Sequence, residues 1–306
     1  MACALPELRR GANGSKAVMK ASVNGWMVGG FENEVPIAEA ARTAKELGYD
    51  AIELCYGAGE LNPDTGEAEL ARIRNDVEGI GIEIASMATG AYWGMSLGSP
   101  DHDERAAALQ FTSAYIKAAA VLGAGTVLVI PGTVDVCFDD ARPVCSARKV
   151  YERAQESICE LVRLAEKAEV VLGLENVWSK FLTGPFEYAG FIDSFASPFV
   201  KAYFDVGNCL INSHSEHWIE ILRDRITRVH VKNFVRREGG GTLSDFTPSL
   251  LEGSANWPAI FEALKITGYD GYLTAEVIVG EKPMPNPEQA GKVCQELRGL
   301  IQEHGA

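Results

Sequence analysis

Glu175, Asp205, His230 and Glu276 stand near the ends of four different apolar, β-branched runs: VVLGLENV (170–177), FVKAYFDVGN (199–208), ITRVHVKN (226–233) and YLTAEV (272–277). Charged groups are costly inside strands covered on both faces. Four of them at strand ends point to one shared, oxygen- and nitrogen-rich metal site. Taken singly, each has a plainer reading. Glu175 would serve as a cap or surface acid, Asp205 as a turn residue, His230 as a core histidine and Glu276 as the partner of a nearby Lys or Arg. Strand parity separates the two readings. Side chains alternate with a period of two, so Gly173 shares a face with Glu175, Tyr203 with Asp205, Lys232 with His230 and Thr274 with Glu276. In a barrel one of those faces is the interior.

The elements that must position these residues form a strict alternation. A first strand near 17–24 is followed by a helix over 36–48, a strand over 49–54, a helix over 66–81 and a strand over 82–90. A long helix from Asp101 to Leu122 leads to a strand within 124–132. The second half repeats the rhythm, with helices at 146–168, 185–195, 214–223 and 256–267, a last helix from Pro287, and strands at 170–177, 199–208, 226–234 and 271–279. Eight such units without a GxGxxG turn predict a single (β/α)8 TIM barrel over residues 17–306, behind a loose N-terminal extension, 1–16. ELGYDAIEL and ITGYDGYLTAEV share one helix-end, Gly-Tyr-Asp, strand-start joint, which reads as common loop chemistry, not as a duplication.

A length of 306 residues fits a barrel of about 250 residues with decorated ends. The formal net charge of −14 and pI near 4.9 repel phosphate backbones and anionic membrane surfaces, so neither nucleic acid nor membrane is an expected partner. Lys180, Lys232, Arg236 and Arg237 supply a local basic patch near the strand ends. Seven cysteines form no CxxC pair and lack the density of a disulfide framework, which predicts reduced thiols and a cytoplasmic protein. The first twenty residues lack the apolar core of a signal peptide, and nowhere do about 18 apolar residues run together.

The segments LENVWSKFLTGPFEYAGFID, YFDVGN, RVHVKN and GYDGYLTAEV resemble those of the xylose isomerase-like sugar phosphate isomerases and epimerases. These include ketose 3-epimerases, hexulose-phosphate isomerases and hydroxypyruvate isomerases. The likeness runs from about Ala17 to the C-terminus and is densest over 170–280. It implies that Glu175, Asp205, His230 and Glu276 bind Mn²⁺ or a similar divalent ion. Three carboxylates and an imidazole suit Mn²⁺, Mg²⁺ or Co²⁺ better than structural zinc, which prefers thiolates. Two positions depart from the free-ketose 3-epimerases, which carry a His where Asn208 stands and a second Glu where Phe181 stands. Both positions help to hold the sugar end in those enzymes.

The chemistry the resemblance implies is proton transfer next to a carbonyl, with Glu175 and Glu276 as acid and base and a metal-stabilised enediolate between them. Ketose 3-epimerisation is the leading expectation, with aldose–ketose isomerisation left open. The expected partner is a small-molecule sugar or sugar phosphate, and a homo-oligomer is allowed. Lys232, on the face of His230, is a candidate for a substrate oxyanion or phosphate, or for a salt bridge to Glu175 or Asp205. Trp93 and Trp178 are candidates to wall the sugar, with plain core packing as the alternative. Asn208 belongs with the substrate-binding candidates, as does Arg236, which begins the Gly-rich, lid-like RREGGGTLSDF (236–246). A metal-dependent lyase cleaving C-glycosides would use the same quartet, and a non-catalytic sugar-binding role would not need the metal. A trinuclear zinc endonuclease would need histidines that this chain places in helices or tails, and a surface of opposite charge.

Overall fold

The apolar runs pair side by side into a closed parallel barrel, β1 through β8 in sequence order, with β8 returning to β1. The computed structural model describes residues 19–278 and 284–305. The extension expected over 1–16 lies outside them. The strands are β1 (Lys20–Asn24), β2 (Ala51–Cys55), β3 (Glu83–Ala88), β4 (Thr126–Val129), β5 (Val171–Glu175), β6 (Val200–Asp205), β7 (Ile226–Val231) and β8 (Tyr272–Ala275). The helices are α1 (Trp26–Gly29), α2 (Ile37–Leu47), α3 (Glu67–Ile80), α4 (His102–Leu122), α5 (Ala147–Ala168), α6 (Pro185–Asp193), α7 (Ser215–Leu222), α8 (Trp257–Thr267) and α9 (Pro287–His304).

Every predicted strand and helix is present, and the fold class is the expected (β/α)8 barrel. The strands come out shorter than the apolar runs because their ends turn into loops at the barrel rims. The one-turn α1 was not expected, and its four residues carry no helical period long enough to see. Strands such as β2 and β4 are buried along their whole length, as parallel strands sandwiched between a packed interior and outer helices must be.

The repeated Gly-Tyr-Asp joint has a definite geometry. Gly48 and Gly268 sit in the left-handed region at φ 98° and 78°, and their N–H groups return to the last carbonyls of α2 and α8. Tyr49 and Tyr269 then donate to the carbonyls of Ala44 and Leu264, closing each helix in the same way before the next strand begins. α4 is capped at its start by Asp101, whose carboxylate accepts from the N–H groups of Asp103 and Glu104. Two register shifts interrupt the barrel ladders. One lies between Ile52 and Glu53 against β3, and the other between Ala202 and Tyr203 against β7.

Candidate metal centre

Four consecutive strands deliver the quartet to one end of the barrel. Glu175 and Asp205 are the last residues of β5 and β6, His230 is the penultimate residue of β7, and Glu276 follows β8, its N–H donating to the Val231 carbonyl at 3.1 Å. Asp205 lies in register with His230, and His230 with Thr274. One ligating atom from each of Glu175, Asp205, His230 and Glu276 lies within 4.8 Å of all the others, and all four residues are buried.

Neighbouring groups aim each side chain. The Asn176 amide accepts from the Asp205 N–H at 2.8 Å and donates to its carbonyl at 2.9 Å, pinning the end of β6 to that of β5. Asp205 Oδ1 accepts from the Asn208 N–H at 2.7 Å, which leaves Oδ2 turned to the centre. His230 Nε2 lies 2.7 Å from Glu53 Oε2, so Nδ1 faces Glu175 at 3.4 Å, Glu276 at 3.5 Å and Asp205 at 3.8 Å. Asp205 Oδ2 and His230 Nδ1 are both buried without a hydrogen bond. Lys232 Nζ stands 2.9 Å from that Oδ2, close enough for an ion pair but not aligned to donate to it, and does donate to Glu276 Oε2 at 2.6 Å.

The donors and their charge fit a divalent cation. Glu53, Glu175, Asp205 and Glu276 face one ammonium and one imidazole, which leaves negative charge in excess even with His230 protonated. Burial of unbalanced charge is costly, and protons are drawn in to offset it. Burial pushes Glu175 up to about 7, against the pull of His230 and with the help of the Glu276 charge. Burial also raises Asp205, opposed chiefly by Lys232. For His230 burial acts downward, but the Glu53 and Glu276 carboxylates outweigh it and hold the imidazolium well above its ordinary range. Lys232 is likewise kept charged, with Asp205 and Glu276 outweighing its burial. A dication in contact with the two orphaned atoms would replace those protons.

The remaining predicted residues have partners of their own. Trp178 donates from Nε1 to the Asn208 carbonyl at 2.8 Å and packs on Phe246 and Phe234, with centroids 5.1 and 5.4 Å away. A cavity of about 610 Å³ opens beside them, lined by Asn176, Trp178, Asn208, Asn212, Thr242 and Ser244 among others. Trp93 lies on the loop after β3, edge-on to Phe138 with centroids 5.0 Å apart. Arg236 Nε donates to the Leu210 carbonyl at 2.8 Å, and its Nη2 to that of Ser213, so it ties the loop after β7 to the loop after β6. Lys180 pairs with Asp135, and Arg237 with Asp245. Of the expected basic patch, Lys232 alone reaches the quartet.

Sequence reasoning missed Glu53, in the middle of β2 and fully buried. Its signal was the one that revealed Glu175, an acid flanked by apolar residues within a strand, but it lay outside the four runs that end in metal-competent groups.

The profile of the xylose isomerase-like TIM barrel family matches residues 41–300. L-ribulose-5-phosphate 3-epimerase UlaE of Shigella flexneri is 25% identical over 288 residues, covering 91% of this chain and 96% of that protein. Its counterpart in Escherichia coli strain SE11 is 26% identical over 259 residues, covering 82% and 86%. Among solved structures, D-psicose 3-epimerase in the presence of D-fructose superposes with a TM-score of 0.76 at 18% identity, covering 94% of this chain and 100% of that one. L-ribulose 3-epimerase does so with a TM-score of 0.73 at 18% identity, covering 94% and 95%. At these identities the structural likeness carries the fold. No helix among the described residues is long and apolar enough to cross a membrane. With most of its length matched by the profile and its strands closed in the same way, the chain belongs to the xylose isomerase-like TIM barrel family.

Proposed function

We propose that this chain is a divalent-metal-dependent 3-epimerase of a ketose or ketose phosphate. The observation that carries the reading is the buried quartet, in which two carboxylates, Glu175 and Glu276, reach one centre from strands three steps apart around the barrel. The names of the four relatives reported above, ketose or ketose-phosphate 3-epimerases, support the same reaction.

A bound Mn²⁺, Mg²⁺ or Co²⁺, held by Glu175, Asp205, His230 and Glu276, would supply fixed positive charge against the oxyanion that develops when a proton leaves the carbon next to a carbonyl. The chain's own residues move the proton. One of Glu175 and Glu276 removes it from C3 and the other returns one to the opposite face, which inverts that carbon. Lys232 holds the Glu276 carboxylate in one orientation through its 2.6 Å hydrogen bond, and its ammonium is within the same cluster to meet a substrate oxygen. Trp178 and the cavity beside it lie next to Asn176 and Asn208 and would take the end of the sugar away from the reacting carbon.

The test is incubation of the metal-loaded protein in D₂O with ketoses, ketose phosphates and C-glycosides. Deuterium at C3 with formation of the C3 epimer is expected. Deuterium at C1 with an aldose product would make the enzyme an isomerase, and release of an aglycone would make it a lyase. No exchange with any substrate, in protein shown to hold metal, would overturn proton-transfer catalysis.

A further inference from the structure

The interior of the barrel, against the far side of His230 from the quartet's carboxylates, holds a fourth carboxylate whose partners are all hydrogen-bond donors. Glu53 is fully buried. Its Oε1 accepts from Ser86 Oγ at 2.9 Å and from the Tyr203 hydroxyl, and its Oε2 accepts from Asn24 Nδ2 at 2.7 Å and lies 2.7 Å from His230 Nε2. An ionised carboxylate has about four acceptor positions, and here four groups fill them. The Asn24 amide cannot be turned the other way without loss. Its Oδ1 already accepts from the Trp26 N–H at 2.8 Å and faces the Cys55 thiol at 3.7 Å, so its NH₂ must point to Glu53.

This arrangement decides which nitrogen of His230 carries the proton. Glu53 offers only acceptors, so Nε2 must be the donor, and the lone pair of neutral imidazole falls on Nδ1, the atom that faces the quartet without a hydrogen bond. The Tyr203 ring, its centroid 4.6 Å from that of His230, packs against the imidazole while its hydroxyl holds Glu53. The two register shifts in the barrel fall next to Glu53 and Tyr203, two members of this network. We infer that Glu53 is a positioning residue of the metal centre, fixing His230 so that Nδ1 is presented to a divalent cation. The inference rests on reading the quartet as a metal centre and adds residues from β1, β2, β3 and β6 to its construction. Partners of this kind set the tautomer and basicity of a metal-binding imidazole, and their loss typically costs about 10- to 100-fold in metal affinity.

Two measurements test it, neither of which reads activity. Calorimetric titration of the metal-free protein with Mn²⁺ should give a dissociation constant that weakens about tenfold in Glu53→Gln, which keeps an acceptor but loses the charge. In Glu53→Leu, which leaves Nε2 without a partner, it should weaken about 100-fold. In the wild-type protein labelled with ¹⁵N-histidine and loaded with ¹¹³Cd²⁺, His230 should show a protonated Nε2 and cadmium coupling at Nδ1. Cadmium coupling at Nε2, or a folded Glu53→Gln that binds Mn²⁺ as tightly as wild type, would overturn the inference. Should the variants fail to fold, the wild-type cadmium spectrum alone decides. If the wild-type protein binds neither Mn²⁺ nor Cd²⁺, the metal-dependent function falls together with the inference. Tight binding through Nδ1 without epimerase activity would sink the proposed reaction and leave the role of Glu53 standing.

Discussion

At the scale of single residues, the quartet separates into groups whose loss should be told apart by measurement. If His230 serves as a ligand nitrogen and takes no part in proton transfer, as proposed, His230→Ala should weaken Mn²⁺ binding and turnover together. Glu276→Gln keeps an oxygen at the same place but cannot accept a proton at carbon's expense, so it should retain much of the metal affinity and lose most of kcat. Near-normal turnover of Glu276→Gln on a verified substrate would show the acid–base assignment to be wrong. As a cation after strand seven, Lys232 suggested either a substrate oxyanion or phosphate contact or a salt bridge to Glu175 or Asp205, and its ammonium sits against Asp205 and Glu276, inside the quartet. Lys232→Met should therefore lower kcat/KM on phosphorylated and free ketoses alike, by about tenfold or more, the scale of a lost charge-assisted hydrogen bond. A loss confined to the phosphorylated substrate would return Lys232 to the phosphate.

At the scale of elements, the barrel works because short strands end in step and their last inward residues meet. That much was readable in the chain, since β-branched runs, Gly-Tyr-Asp joints and polar residues at the same point of four successive runs each follow from local chemistry. The Glu53 network was not readable, because its other members lie 29 to 177 positions from Glu53 and come together only through the pairing of β1, β2, β3, β6 and β7. Nor could the register shifts beside Glu53 and Tyr203 be seen, for they are properties of a ladder and not of a strand. Arg236 illustrates the same limit, since its carbonyl partners belong to another loop. Gly173 shows how tightly the elements fit. A Cβ there would lie 2.9 Å from Tyr203 Cδ2 and 3.2 Å from Thr126 Cγ2, so β5 can pass β6 only because residue 173 has no side chain. Gly173→Ala should destabilise the fold by about 1–3 kcal/mol through overpacking. By displacing the ring that supports Glu53 and His230, it should also weaken Mn²⁺ binding. Gly190 in α6, where an added methyl meets nothing within 4 Å, is the control, and alanine there should raise stability by about 0.5–1 kcal/mol. Unchanged melting and metal affinity in Gly173→Ala would mean that Tyr203 does not carry the centre.

At the scale of the whole molecule, the two halves of the barrel divide the work, with β5 to β8 supplying the quartet and β1 to β3 supplying most of the layer that supports it. This concentrates buried acid in one place, and the stability of the metal-free protein should report it through pH. Glu175 is raised from its ordinary value of 4.5 to about 7, burial being the largest cause. The folded chain thus binds that proton more tightly than the unfolded chain does, and stability falls as pH rises through the window between 4.5 and about 7. His230 is also raised, so the stability carried by its proton is complete below about 6.5 and is lost as pH climbs through its higher folded value, which gives a slope of the same sign. Melting in the presence of a chelator should therefore show Tm decreasing from pH 5.5 to 8, with Glu175→Gln flattening the early part of that slope. A divalent cation binds the deprotonated ligands, so its affinity should rise with pH by about tenfold per unit for each proton displaced, and the Tm gained on adding Mn²⁺ should grow over the same range. A metal-free Tm that is flat or rising across this range, with no difference between wild type and Glu175→Gln, would mean that the buried acids are balanced by the protein alone and that the centre has no need of a cation.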